Sequence, residues 1–203
     1  MDDKKLVIGR RKTDNRTMNT KDLYPRLVRT QLQEALADSP VVLLHGPRQC
    51  GKTTLARSLG DDDGRQYFTL DDAVTLTSVK ADPSGFVLDL QGPVTIDEVQ
   101  RVPELFLAIK QSVDRDRRPG RFLLTGSANV FFVPKVADSL AGRMEIVRLH
   151  PLSEVEIRRQ SPNFLDRIFA GDFKVSQGER LGPRLADLIV RGGFPEAVRR
   201  DTV

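Results

Sequence analysis

Gly46-Pro47-Arg48-Gln49-Cys50-Gly51-Lys52-Thr53-Thr54 has the spacing G-x-x-x-x-G-K-[ST], in which a glycine-rich loop wraps a chain of phosphates. An apolar run, Val41 to His45, precedes it and reads as a buried strand. Good helix formers follow from Lys52 to Leu59 and stop at Gly60. Strand, loop and helix in that succession are the context the motif requires. Gly46 and Gly51 let the backbone turn tightly and aim successive N–H groups at phosphate oxygens. The helix N-terminus adds its positive dipole end. Lys52 is expected to reach the β- and γ-phosphates and the Thr53 hydroxyl to ligate Mg²⁺, with the other loop residues and Thr54 completing the cradle. The ligands this loop predicts are a nucleotide and Mg²⁺.

A second stretch supplies acids. Val94-Thr95-Ile96-Asp97-Glu98 reads as a buried strand that ends in two carboxylates. An apolar run ending in Asp-Glu is common by itself, but this one lies 45 positions beyond Lys52 and precedes a helix. In P-loop enzymes such an Asp gives the second contact to Mg²⁺. Asp97 is therefore the candidate metal residue, holding the ion usually through water, and Glu98 the candidate general base for an attacking water. The next strand, Arg121 to Thr125, runs into Gly126 and Ser127. Thr125 and Ser127 are candidates to sense the γ-phosphate or orient its water; a turn that caps a strand is the alternative. Arg143 precedes a fifth strand, Met144 to Leu149. It is a candidate for neutralising transition-state charge, and a surface salt bridge explains it equally.

The rest of the chain frames these stretches. Residues 1–20 are polar and basic and read as a flexible arm, a solvated tail by its composition. A helix is expected from Pro25 to Ala37, with Leu27, Val28, Leu32, Ala35 and Leu36 at helical spacing. Asp61-Asp62-Asp63-Gly64 reads as a hydrated turn, because consecutive carboxylates cannot all converge on one ion. A second strand covers Gln66 to Leu70, and residues 73–92 read as a mixed connection broken at Pro83 and Gly92. Helices are expected from Pro103 to Asp114 and from Pro134 to Ala141, with a basic turn at Arg115, Arg117 and Arg118 between them. After His150 the strand signals stop. Ser153 and Glu156 form a capping box for a helix to Gln160, and helices follow at 163–170, at 183–191 and from Pro195.

Composition narrows the class. The 203 residues suit one core with a small second unit. A net charge of +4 is compatible with nucleic acid without demanding it. Cys50 is the single cysteine, which excludes an internal disulfide framework or a zinc cluster; its place beside Lys52 and a helix N-terminus predicts a lowered pKa and reactivity that Mg·ATP blocks. No apolar run approaches the ~20 residues of a membrane span, so no membrane partner and a cytoplasmic location are expected. Runs such as VVLL and FLLT predict parallel strands buried on both faces, hence a three-layer α/β sandwich with a helical C-terminal extension.

GPRQCGKTT, TIDEVQRVPELF, LLTGSA, LAGR and RLHPLSEVE together resemble the prokaryotic AAA-type P-loop ATPases, over residues 23–200. The resemblance implies an AAA+ core at 21–150 with strand order 5-1-4-3-2, Walker B acids at Asp97 and Glu98, and a sensor around Thr125 to Ser127. Residues 151–203 then resemble the start of a lid, incomplete here, and GGFPEAV at 192–198 looks like the hinge into a restriction-nuclease-like domain. By the same likeness Arg143 falls where an arginine finger serves a neighbouring subunit. The sequence has no [NT]-K-x-D and no LSGGQ-like signature, which argues against a GTPase and a transporter ATPase. Three readings stay open: an ATPase that drives a conformational change, possible with a homo-oligomer, DNA or a protein as partner; a slowly hydrolysing, ATP-gated binding module; and a small-molecule kinase.

Overall fold

The computed structural model describes residues 23–127, 140–161, 164–171 and 182–200. Its centre is a five-stranded sheet built from β1 (Val41–Gly46), β2 (Gln66–Thr69), β3 (Val94–Asp97), β4 (Phe122–Ser127) and β5 (Met144–Arg148). The order is β2-β3-β4-β1-β5, and each neighbouring pair runs parallel. This is the 5-1-4-3-2 order that the sequence resemblance implies. Helix α1 (Val28–Asp38) precedes the sheet; parallel strands need crossovers, and α2 (Lys52–Asp63), α3 (Ala73–Ala81), α4 (Pro83–Asp89) and α5 (Leu105–Arg115) supply them. Short helices α6 (Glu154–Ile157), α7 (Phe164–Phe169), α8 (Gly182–Arg191) and α9 (Pro195–Arg200) follow the sheet. Among the described residues no helix is long and apolar enough to cross a membrane.

The two-residue period of the strands sorts their side chains into two cores. Val41 and Leu43 of β1, Ile96 of β3 and Phe122 and Leu124 of β4 pack with Val79, Phe86, Leu105 and Ile109 from α3, α4 and α5. Val42, Leu44 and Leu123 face the other way, onto Leu32 and Leu36 of α1 and Leu55 and Leu59 of α2. Burying one such Leu contributes roughly 1.5–3 kcal/mol. Both faces being covered is why these strands read as continuous apolar runs.

Four local expectations need correction. Helix α2 does not stop at Gly60; it runs through Asp61 to Asp63, and the Gly64 N–H bonds the Gly60 carbonyl at 3.0 Å to end it. An interior glycine costs a helix only about 1 kcal/mol, less than the packing of Leu55, Ala56 and Leu59 supplies. Residues 73–92 are two helices, not an irregular connection: Asp72 caps α3 by accepting from the Thr75 N–H and Asp82 caps α4 by accepting from the Gly85 N–H, both at 2.8 Å. The first helix begins at Val28, and the Leu27 N–H, which has no partner within the helix, donates to Glu156 at 2.8 Å. Helix α6 keeps its capping box but ends at Ile157. The helix expected at Pro134–Ala141 lies outside the described residues except for Leu140 and Ala141, which form a turn; the arm at 1–20 lies outside them too.

Candidate nucleotide-binding site

The loop 46–51 leaves the carboxyl end of β1 and enters α2, the edge where open parallel sheets bind ligands. A Cβ on Gly46 would sit 2.1 Å from the Leu149 carbonyl oxygen, so no other residue fits there. Gly51 has φ +101°, open to glycine at little cost. Lys52 is buried, and its ammonium donates to the carbonyls of Gly46 (3.1 Å) and Pro47 (2.8 Å), so the loop is wound around the lysine. Pro47 is half-buried, Arg48 and Gln49 are exposed at the tip, and Thr53 and Thr54 are half-buried in the first turn of α2. Under the loop, burial first and then the charges of Arg148, His150 and Lys52 lower the pKa of His45.

Cys50 departs from expectation. Its side chain is fully buried in the core cluster with Leu55 and Leu149. Burial pushes the thiol pKa up, and the opposing charges of Lys52 and Arg26 do not offset it. A reactive thiolate is therefore not what the loop contains; desolvation outweighs the helix end.

The acids stand at the ends of β3 and just beyond. Asp97 is buried, and the Thr53 hydroxyl approaches both of its carboxylate oxygens, at 3.2 Å and 3.0 Å. The Tyr67 hydroxyl donates to Oδ2 at 2.7 Å, and the Thr125 hydroxyl donates to Oδ1. Burial and then this bond to a carboxylate raise the Tyr67 pKa well above the ordinary phenol value. Thr125 also accepts from the Glu98 N–H at 3.2 Å, which fixes the backbone of one acid to the side chain that holds the other. Glu98 is outside the strand, in a left-handed conformation with φ 61° and ψ 41°. Its Oε2 accepts from the Gln100 amide and from the Ser127 hydroxyl, the latter at 3.3 Å, while Gln100 also donates to Ser127 at 3.0 Å. Ser127 lies opposite Gly46 in the sheet register.

Thr53, Asp97, Glu98, Thr125, Ser127 and the loop thus meet at one end of the sheet. Arg143 does not join them. It precedes Met144, the partner of Val41, and so lies at the start of the strands. Five residues of strand at ~3.3 Å each separate that level from Gly46, about 17 Å. Its guanidinium pairs with Asp114 and donates to the Ala141 carbonyl at 3.1 Å; the bond to Arg143 holds the Asp114 carboxyl below its usual range.

The donor set suits Mg²⁺. A hydroxyl and a carboxylate, adjacent and both hard oxygen donors, match an ion that keeps waters and takes its remaining ligands from phosphates. Among the described residues there is no group of three or more His, Cys, Asp or Glu that would cage a metal by itself.

Three residues of this neighbourhood escaped the sequence reading. Tyr67 and Gln100 are described above. Arg26 is the third: it donates to the carbonyls of Cys50 (2.8 Å) and His150 (2.5 Å) and to Glu156 (3.2 Å), tying the loop to the segment after β5. Burial pushes Glu156 up, but the N–H groups of Ser153 and Leu27 and the Arg26 charge outweigh it, so its pKa is lowered. The Gln100 position, two beyond Glu98, was visible in the sequence. Arg26 gave no local sign.

The AAA domain family model matches residues 38–158. Two uncharacterized proteins, of Mycobacterium bovis and of Mycobacterium tuberculosis, are each 42% identical to the chain over 139 residues, 68% of this chain and 31% of the relative. The chain thus spans about a third of the length of the curated relatives it matches. Among solved structures it is similar to a Walker-type ATPase of Pyrococcus abyssi, at 18% identity over 77% of this chain and 61% of that one, with a TM-score of 0.49. It is also similar to RuvB of Thermotoga maritima, at 21% identity over 69% and 50%, with a TM-score of 0.47. The family match takes in the loop, both acids and every strand of the sheet, and by it the chain belongs to the AAA domain family.

Proposed function

We propose that this chain binds ATP with Mg²⁺ and hydrolyses it to ADP and phosphate, using the cycle to drive a conformational change. The observation that carries the reading is the Thr53–Asp97 pair directly under a phosphate loop wound on Lys52. The Lys52 ammonium exchanges the Gly46 and Pro47 carbonyls for phosphate oxygens when nucleotide enters. Mg²⁺, held by Thr53 and Asp97, supplies charge neutralisation at the phosphates. Glu98 takes the proton of a water as its oxygen bonds to the γ-phosphorus and the β–γ bridging bond breaks. Ser127 and Thr125 hold that water and the base in line. Arg143, far from its own loop, serves a second copy of the chain, and this gives a homo-oligomer as the working form. DNA or a protein partner receives the motion.

A slower reading has its own support. The Glu98 carboxylate is held by Gln100 and Ser127, so a base that must first be released describes an ATP-gated binding module. Phosphate release by the pure protein, with and without DNA and with a Lys52→Ala control, separates the two. Multiple turnovers per minute support the motor reading, and a single slow turnover supports the gated module. Release unchanged in Lys52→Ala would show that neither describes the chain.

A further inference from the structure

The strand order puts β2 and β4 on either side of β3. Each of those neighbours sends one hydroxyl to the acid at the end of β3: Tyr67 from β2 to Oδ2 at 2.7 Å, and Thr125 from β4 to Oδ1. Thr53 comes from the third direction, α2, and its single proton is shared between the two oxygens at 3.2 Å and 3.0 Å. The three hydroxyls do not have equal freedom. The Thr53 hydroxyl belongs to the residue that faces the phosphates. Those of Tyr67 and Thr125 belong to the sheet. The Tyr67 ring is itself fixed, because the Arg57 guanidinium of α2 lies 4.6 Å from its centroid, a cation–π contact.

A carboxylate with one fixed donor on each oxygen has one orientation. Without the Tyr67 hydroxyl, Oδ2 keeps only Thr53 as a partner. The contact that has to open for an ion then becomes the one that satisfies a buried charge. The outer partners of metal ligands commonly set affinity by 10–100-fold through this kind of orientation.

We propose that Tyr67 is a positioning residue for Asp97, setting how tightly, and how selectively, the site holds the Mg²⁺ of a bound nucleotide. This rests on the nucleotide reading of the site. It assigns to β2, which contributes nothing to the phosphate loop, a share in metal recognition. Mg²⁺ demands near-ideal octahedral geometry whereas Ca²⁺ accepts a loose one, so loosening Asp97 penalises Mg²⁺ more.

Tyr67→Phe removes one oxygen and leaves the ring under Arg57. Binding of a fluorescent N-methylanthraniloyl ATP is followed in EDTA and then across a Mg²⁺ titration and a Ca²⁺ titration, with circular dichroism as the check on folding. The affinity in EDTA stays as in the wild type. The Mg²⁺ concentration that gives half of the metal-dependent gain rises about tenfold, and the preference for Mg²⁺ over Ca²⁺ narrows. A purely structural Tyr67 would lower the unfolding midpoint and leave both titrations where they were, which overturns the proposal. If Tyr67→Phe fails to fold, Arg57→Gln, which frees the ring without touching a hydroxyl, takes its place: a weaker shift in the same direction supports the proposal and an unmoved Mg²⁺ midpoint overturns it. A wild type whose nucleotide affinity ignores Mg²⁺, or survives Lys52→Ala, overturns the underlying nucleotide reading instead.

Discussion

The hydroxyl of Thr53 and the carboxylate of Asp97 stand 3.0 Å apart although 44 positions separate them in the chain. One comes from the first turn of α2 and the other from the end of β3, and the sheet brings them together. On the proposed nucleotide reading, the two groups that would hold one ion are assembled before it arrives, and the fold has already met the entropic cost of gathering them.

Lys52→Ala removes the ammonium around which the loop is wound. A charge-assisted hydrogen bond contributes roughly 1.5–3 kcal/mol, so ATP affinity should fall ten- to a hundredfold or more in calorimetry. Loss of the two internal bonds to Gly46 and Pro47 should also loosen the empty loop, visible as faster amide exchange at residues 47–51.

Glu98→Gln keeps the shape of the side chain and removes its capacity to take a proton. ATP should bind with near-normal affinity while phosphate release drops ~10²–10⁴-fold. Hydrolysis at the wild-type rate in this variant would mean that another group is the base.

Arg143→Ala should bind ATP normally and hydrolyse it poorly, by up to ~10³–10⁵ if the guanidinium acts in trans. Wild-type specific activity should rise with protein concentration. Mixed with Glu98→Gln, which keeps the arginine and lacks the base, Arg143→Ala should recover part of the activity. No recovery where the subunits demonstrably associate would reduce Arg143 to its ion pair with Asp114.

Glu156 gives a pH signature. Its pKa is lowered in the folded chain, so its contribution is present above the ordinary carboxylate range and is lost as pH falls through the depressed value. Glu156→Gln should cost about 3 kcal/mol at pH 7, because Arg26 is left buried without its counter-charge. It should also flatten the decline in thermal stability below pH ~4.5 that the wild type shows.

What the sequence disclosed depended on how far each cause reaches along the chain. The loop, the strand before it and the acid pair are local patterns, and all were legible. The caps Asp72 and Asp82 were local too, but the proline and glycine beside them masked two helices as an irregular link. Tyr67 meets Asp97 across 30 positions and Arg26 meets Glu156 across 130, distances over which no periodicity speaks. Cys50 was misjudged for a related reason: proximity to Lys52 is written in the sequence, whereas the side chain's burial against Leu149 and Leu55 is not.

Glu98 sits in a left-handed conformation that costs an L-residue roughly 1–2 kcal/mol. Glycine would adopt it freely, and its greater freedom in the unfolded chain offsets only part of that relief; the bonds from Gln100 and Ser127 to the Glu98 carboxylate weigh against the exchange. A library of this protein sorted by heat resistance should therefore tolerate glycine at position 98, whereas one sorted by turnover should keep the acid if Glu98 is the base proposed above. Optimising the chain for robustness alone would put no pressure on keeping the side chain that the proposed chemistry depends on.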